Sequence, residues 1–122
     1  MPEVLRREYV GGPTTPRAAR GEIGAFLSGV ARDDTIAIAV LVVTELVTNA
    51  VLYAPGVIEL RATLTGTRLR IEVGDSSPEL PSLREPGAGG RGLRIVEQLS
   101  DRWGVVTEDG PGKTAWCEIS VA

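Results

Sequence analysis

Residues 36–54 form a strongly apolar segment that has the length of a helix. Asp33 and Asp34 precede the segment and can cap a helix N-terminus, and Pro55 followed by Gly56 ends it. Valine, leucine, isoleucine and alanine dominate the sequence in between, which leaves little polar surface on any side. A helix that is apolar nearly all round is buried, so this segment is predicted to be a core helix.

The flanking segments have the patterns of a second helix and a β-hairpin. Thr15 followed by Pro16 predicts a helix start. The apolar stripe of that helix is predicted at Ala19, Ile23, Phe26 and Val30. Residues 58–64 and 69–73 alternate apolar and polar side chains around a turn at residues 65–67. This alternation predicts a hairpin with one buried face.

The C-terminal part of the chain predicts a loop, a helix and two strands. Residues 76–92 contain prolines and glycines without periodicity and are typical of an irregular loop. Residues 93–100 predict a helix with Leu93, Val96 and Leu99 facing inward. Residues 103–107 and 114–121 predict two strands on either side of a turn at residues 109–112.

Together with a short edge strand predicted over residues 4–10, these elements predict an α+β fold. The expected architecture is a two-layer sandwich, in which a mixed, mainly antiparallel sheet carries helices on one face. The chain of 122 residues, 43% hydrophobic and 24% charged, is large enough to bury one core. No internal repeat or domain boundary is evident, so residues 1–122 are expected to form a single domain.

Charge and composition exclude several classes of function. The net charge of −3 and the pI near 5.0 argue against a nucleic-acid-binding surface. The chain has no histidine and one cysteine, Cys117, so it can build neither a Cys/His metal site nor an internal disulfide. The N-terminus has no apolar signal core, and the longest apolar run, residues 36–43, is too short to span a bilayer. We therefore expect a packed core thiol and a cytoplasmic protein without membrane contact.

Two polar residues interrupt the apolar helix, Glu45 and Asn49. Residues four apart lie one above the other on a helix face, so these two side chains can reach a common ligand. One interpretation places both on a solvated edge of the helix. The other places them in a pocket, where the carboxylate could deprotonate a nucleophile and the amide oxygen could bind Mg²⁺. The apolar neighbours favour the pocket.

Asp75 continues the alternation of Leu69, Ile71 and Val73, so the strand pattern directs its carboxylate toward the core. The alternative is that the strand ends at Gly74 and that Asp75 starts a turn, as aspartate often does. An inward carboxylate needs a partner, and the amine of a ligand would provide one.

A glycine-rich segment, GAGGRGL at residues 87–93, comes directly before the predicted third helix. Glycine-rich backbone at a helix N-terminus offers N–H groups and a favourable dipole to phosphate. The spacing fits neither a P-loop nor a dinucleotide fingerprint, so a different kind of nucleotide site is indicated. Arg91 is the cation within this segment and is either a phosphate contact or a solvated loop residue.

The sequence resembles the GHKL ATPase superfamily in several segments that occur in the family's order. These segments are ELVTNAV at residues 45–51, VGDSSPELP at 73–81, GGRGLRIVEQLSDRWGV at 89–105 and GKTAWCEIS at 112–120. Within the superfamily the sequence is most similar to the small bacterial anti-sigma factor serine/threonine kinases. The resemblance covers most of the chain and implies the GHKL, or Bergerat, ATP-binding fold.

By this resemblance Glu45 is the general base, Asn49 is the ligand of Mg²⁺, and Asp75 accepts a hydrogen bond from the adenine amino group of ATP. The resemblance also implies nucleotide-binding residues in the lid and the last strand: Gly90, Arg91, Gly92, Leu93 and Thr114. The sequence departs from the family at residues 76–79, where SSPE replaces a glycine-containing turn. It also has Tyr53 where close relatives often have histidine.

The resemblance implies a kinase that transfers the γ-phosphoryl group of ATP to an anti-anti-sigma (STAS-type) antagonist and otherwise holds a sigma factor inactive. The alternative is a binding module whose nucleotide site only shapes a protein interface. A histidine-kinase fragment is a third reading, for which autophosphorylation would require another polypeptide. A homodimer is expected, because relatives dimerise and because the edge strand at residues 4–10 offers backbone groups to a second copy.

Overall fold

The computed structural model describes residues 2–53, 56–76, 88–107 and 112–121. Its elements, in chain order, are β1 (Glu3–Val10), α1 (Thr15–Leu27), α2 (Asp33–Tyr53), β2 (Val57–Thr65), β3 (Arg68–Asp75), α3 (Ala88–Leu99), β4 (Arg102–Thr107) and β5 (Lys113–Ser120). The predictions made for residues 54–55, 77–87 and 109–111 lie outside the described residues.

The strands form one five-stranded sheet in the order β1-β2-β3-β5-β4. Each neighbouring pair in the described sheet is antiparallel, where the sequence predicted a mixed, mainly antiparallel sheet. The helices supply the second layer, so the predicted α+β sandwich is confirmed. β1 is an edge strand, as predicted, and β4 is the opposite edge.

The core lies between the helices and one face of the sheet. The inward side chains of the hairpin are at most 6% exposed: Ile58, Leu60, Ala62, Leu64, Leu69, Ile71 and Val73. Burying a large aliphatic side chain of this kind contributes about 1.5–3 kcal/mol. Cys117 is fully buried in the same layer, as predicted, and burial raises the pKa of its thiol to about 11.

Helix α2 is the buried helix that the sequence predicted. It contacts α1 and α3 and packs on β2, β3 and β5. Its segment Asp33–Leu52 has a mean hydropathy of 2.1 and is long and apolar enough to cross a membrane. Buried core helices can have the same length and composition. The uninterrupted run at residues 36–43 therefore understated the apolar length of this helix. Val42, Val43 and Val47 are fully buried, whereas Leu41 and Leu52 are 42% and 51% exposed, so burial explains only part of the apolar composition.

Helix α1 ends earlier than its apolar stripe predicted. The helix stops at Leu27, and Gly29 then adopts a left-handed conformation with φ of 78°, which favours glycine. Val30 consequently lies in the turn with 52% of its surface exposed, where the prediction placed it on the apolar stripe. The hydroxyl of Thr15 accepts a hydrogen bond from the Gly12 N–H at 3.0 Å and so joins the end of β1 to the helix start.

Helix α3 begins at Ala88, before the start predicted at Leu93, so residues 88–92 are helical and not part of the predicted loop. Glycine has a low helix propensity, which is why the glycine-rich segment predicted a loop. The helix packs against α2, with Leu93 and Val96 buried. Tertiary packing of this kind stabilises a helix more than intrinsic propensity does.

Candidate nucleotide-binding site

Glu45 and Asn49 lie one helical turn apart on α2, beside its buried residues Leu46, Val47 and Ala50. Asn49 is 8% exposed, and no described residue donates a hydrogen bond to its buried Oδ1 atom. Leaving a buried acceptor without a donor costs about 1–3 kcal/mol. The position of Asn49 therefore contradicts the solvated-edge interpretation and suits an oxygen that binds a ligand.

Glu45 is half-buried, and desolvation by burial raises the pKa of its carboxyl group. A raised pKa makes the carboxylate a better proton acceptor near neutral pH, which is what a general base requires. The environment of Glu45 is thus compatible with the role that the resemblance implies.

Asn49 fits a magnesium ion that arrives with a nucleotide. Within the described ranges, no group of three or more acidic, histidine or cysteine side chains could hold a resident metal. Mg²⁺ is typically bound through one or two carboxylates, with water and substrate phosphates completing its coordination, and an amide oxygen is likewise a hard oxygen ligand. A single buried amide oxygen matches that pattern.

Asp75 is the last residue of β3 and shares the inward face with Ile71 and Val73, so the strand interpretation is correct and the turn interpretation is wrong. Its side chain is 4% exposed. The carboxylate Oδ1 accepts a hydrogen bond from Lys113 Nζ at 2.9 Å, and the Lys113 side chain is 6% exposed. The partner of this buried carboxylate is thus a lysine of the protein itself.

Lys113 was missed because the turn was predicted at residues 109–112 and β5 was predicted to begin at Thr114, which left Lys113 in neither element. The alternation along β5 contains the signal that could have identified it. Lys113 shares the inward face with the buried Cys117 and Ile119, and the register pairs it with Asp75. A cation at an inward strand position requires an anionic partner.

Thr114 lies on the opposite face of the sheet, because it is in register with Gly74, and a Cβ atom at Gly74 would lie 3.5 Å from its hydroxyl. The β5 residue that contacts Asp75 is Lys113. A cleft of about 470 Å³ opens at this end of the sheet, where β2 begins, β3 ends and β5 begins. It is lined by Val57, Glu59, Gly74, Asp75, Ser76, Lys113 and Thr114.

The residues predicted for the lid lie in the first turns of α3. Gly90, Arg91 and Gly92 are helical, and the side chain of Arg91 lies outside the described part of the structure, as does that of Tyr53. Leu93 is 2% exposed, so its side chain belongs to the core and only its backbone remains for ligand contact. The first turn of α3 contains no acidic residue, which suits an N-terminus that faces phosphate.

The elements that carry the predicted site all contact or belong to helix α2. Helix α2, with Glu45 and Asn49, packs against α3 and against the strands β3 and β5. Asp75 faces this helical layer, whereas Thr114 faces away from it. The fold therefore places the half-buried Glu45 and the buried Asn49 on a central helix that contacts both α3 and the strand that carries Asp75.

Comparison with known proteins identifies the same fold. The family model described as "Histidine kinase-like ATPase domain" matches residues 12–117. The crystal structure of full-length ShkA in complex with AMPPNP is similar in fold, with a TM-score of 0.60 and 20% sequence identity. That similarity covers 91% of this chain and 31% of the ShkA chain, so this chain spans about a third of that protein's length. No curated protein matches the sequence.

Proposed function

Because this chain belongs to the histidine kinase-like ATPase domain family, a GHKL family, we propose that it binds ATP with Mg²⁺ and acts as a serine/threonine protein kinase. The observation that carries the proposal is the buried Asn49 Oδ1, which has no described hydrogen-bond donor and lies one turn from Glu45. The AMPPNP complex of ShkA, a protein of similar fold, also supports nucleotide binding.

In the proposed reaction, Glu45 accepts the proton of a serine or threonine hydroxyl group. The hydroxyl oxygen forms a bond to the γ-phosphorus while the bond to the β–γ bridging oxygen breaks, and ADP leaves. Asn49 would hold Mg²⁺, which supplies charge neutralisation at the phosphates when it is bound. Positioning and electrostatic stabilisation account for most of the catalysis in such transfers.

The protein partners follow from the sequence resemblance to anti-sigma factor kinases. The proposed phosphoryl acceptor is an anti-anti-sigma antagonist of the STAS type, and the proposed target held inactive is a sigma factor. Phosphorylation of the antagonist would leave the sigma factor bound to this domain, which is regulation by partner switching. The proposed location of these partners is the cytoplasm.

Replacing Asn49 with alanine is expected to abolish the magnesium dependence of ATP binding. In the wild type, ATP affinity should be higher with Mg²⁺ than with EDTA. In the variant the two affinities should be equal, with a loss of about tenfold in the presence of Mg²⁺ because one ligand contact is removed. Titration calorimetry measures both values, and Thr48→Ala, at the half-buried preceding position, is the control. Unchanged magnesium dependence in Asn49→Ala would exclude this role.

The domain is also proposed to form a homodimer through the edge strand β1. Among the described strands, only β2 pairs with β1, and Val4 and Val10 are 47% and 83% exposed. Substituting both valines with lysine should shift the protein to a monomer in sedimentation experiments at micromolar concentration. Val106→Lys, on the opposite edge strand and 50% exposed, should not. A monomeric wild type would refute the proposed dimer.

One observation favours the alternative function, a module that binds partners without catalysis. Asp75, the proposed acceptor of the adenine amino group, is hydrogen-bonded to Lys113 inside the protein. A site closed in this way would bind nucleotide weakly or only under regulation. The variant Glu45→Gln distinguishes the two functions, since only a kinase has phosphoryl transfer to lose.

A further inference from the structure

The contact between Asp75 and Lys113 is a buried ion pair at the position proposed to recognise adenine. The two side chains are 4% and 6% exposed, and Oδ1 and Nζ are 2.9 Å apart. The pair joins the last residue of β3 to the first residue of β5, across paired positions of the sheet. Its position is therefore set by strand register as well as by the attraction between the charges.

A lysine ammonium group is a stronger partner for this carboxylate than the amino group of adenine. Both groups donate to an ionised carboxylate, but only the ammonium group is itself charged, so the ion pair adds a Coulomb attraction that the neutral adenine amino group cannot provide. Adenine cannot take the place of Lys113 at Oδ1 without leaving the ammonium group to find another environment. The exchange therefore lowers the net affinity for the nucleotide.

We infer that Lys113 competes with the adenine amino group for Asp75 and thereby sets the affinity of the nucleotide site. This inference rests on the proposed function, since it takes Asp75 as the adenine acceptor. In the closed arrangement Lys113 neutralises Asp75. In the open arrangement the carboxylate accepts from adenine and the ammonium group is released to solvent.

The open arrangement requires a path by which the ammonium group reaches water, and the adjacent cleft is the path that we propose. Lys113 and Asp75 both contribute to the wall of the cleft of about 470 Å³, together with the polar residues Ser76 and Thr114. A lysine side chain has a long flexible stem, so its charged end can move into such a cleft while the backbone stays paired in the sheet. The open arrangement thus keeps the pairing of β3 and β5, and the loss of the buried ion pair has to be offset by the contacts of the bound nucleotide.

Removing the competitor is expected to strengthen nucleotide binding. Lys113→Met should bind ATP about 10- to 100-fold more tightly than the wild type, the factor that corresponds to one charge-assisted hydrogen bond. Arg102→Met is the matched control, because it removes one positive charge from an exposed position on β4. The ATP affinity of Arg102→Met should stay at the wild-type value or fall slightly. The ATP affinities of both variants are measured by titration in the presence of Mg²⁺ at constant ionic strength.

The direction in which the ATP affinity changes decides whether Lys113 competes with adenine. Tighter binding by Lys113→Met, with no gain in Arg102→Met, supports the competition. Equal or weaker binding by Lys113→Met, while the wild type binds ATP, overturns it and leaves the proposed function standing. If neither the wild type nor the Lys113 variants bind ATP at millimolar concentration, the proposed function fails and the inference fails with it.

If Lys113→Met does not fold, a second variant and a measurement on the wild type still test the competition. Lys113→Thr retains a hydroxyl donor near Asp75 and suits a strand, and it should also bind ATP more tightly than the wild type.

Lys113 is the single lysine in the sequence, so acetylation of its amine by an N-hydroxysuccinimide ester can be followed by mass spectrometry. Saturating ATP should accelerate this acetylation because the ammonium group is released. Unchanged or slower acetylation would contradict the competition.

Discussion

Replacing Asp75 with alanine is expected to lower the free energy of unfolding by about 3–5 kcal/mol, because the Lys113 ammonium group is then buried without its counter-ion. The expectation follows from the burial of both partners, at 4% and 6% exposure, and from their separation of 2.9 Å. Urea denaturation monitored by circular dichroism measures the change. Few single substitutions in a domain of this size have a larger expected cost.

Two comparisons make this prediction specific. Glu72→Ala, on the same strand, removes a carboxylate that is 26% exposed and 3.9 Å from Arg70 Nε, and it should cost less than about 1 kcal/mol. The double variant Asp75→Leu with Lys113→Met replaces both charges by apolar groups and should recover most of the lost stability. Equal losses in Asp75→Ala and Glu72→Ala would show that the Asp75 pair contributes no more than a surface pair.

Replacing Glu45 with glutamine is expected to reduce phosphoryl transfer by about 10²- to 10⁴-fold, the usual contribution of a general base. ATP affinity should remain near the wild-type value, because the role proposed for Glu45 is to act on the attacking hydroxyl group and not on the nucleotide. Transfer is measured with labelled ATP and a STAS-type antagonist as the acceptor. Glu97→Gln, an exposed glutamate on α3, is the matched control and should leave transfer unchanged.

The same substitution should alter the dependence of stability on pH. Burial raises the pKa of Glu45 in the folded state above its ordinary value of 4.5, so the folded protein binds the proton more tightly than the unfolded chain does. Stability from this group is therefore lost as the pH rises from 4.5 through the raised pKa. Glu45→Gln removes that loss and should be at least as stable as the wild type at neutral pH.

A wild type that binds ATP but transfers no phosphate, while it still holds a sigma factor, would favour the binding module.

Local sequence patterns predicted most of the fold. The alternation in residues 58–64 and 69–73 predicted the hairpin, and the same alternation extended to Asp75 predicted its inward carboxylate. The apolar segment at residues 36–54 predicted α2, and the positions of Glu45 and Asn49 on it followed from the helical repeat. These features depend on periodicity within one element, which a single sequence displays directly.

The errors arose where contacts between distant elements decide the structure. The glycines of residues 87–92 predicted a loop by propensity, whereas packing of α3 on α2 makes residues 88–92 helical. Lys113 was missed because Asp75, its ion-pair partner, lies 38 positions away in the sequence. Lys113 also follows a predicted turn directly, so it was not counted in the alternation of β5. Thr114 was chosen from the family resemblance, and only the register between β3 and β5 shows which face it occupies.

Titration of the wild-type protein with ATP, in the presence of Mg²⁺ and again with EDTA, shows whether the domain binds ATP and whether binding depends on the metal. We propose that Asn49 and the helices around it form a magnesium-dependent ATP site. We therefore expect saturable binding of one ATP per chain with Mg²⁺, and clearly weaker binding with EDTA. A folded protein that shows no binding of ATP at millimolar concentration under either condition would contradict this proposal.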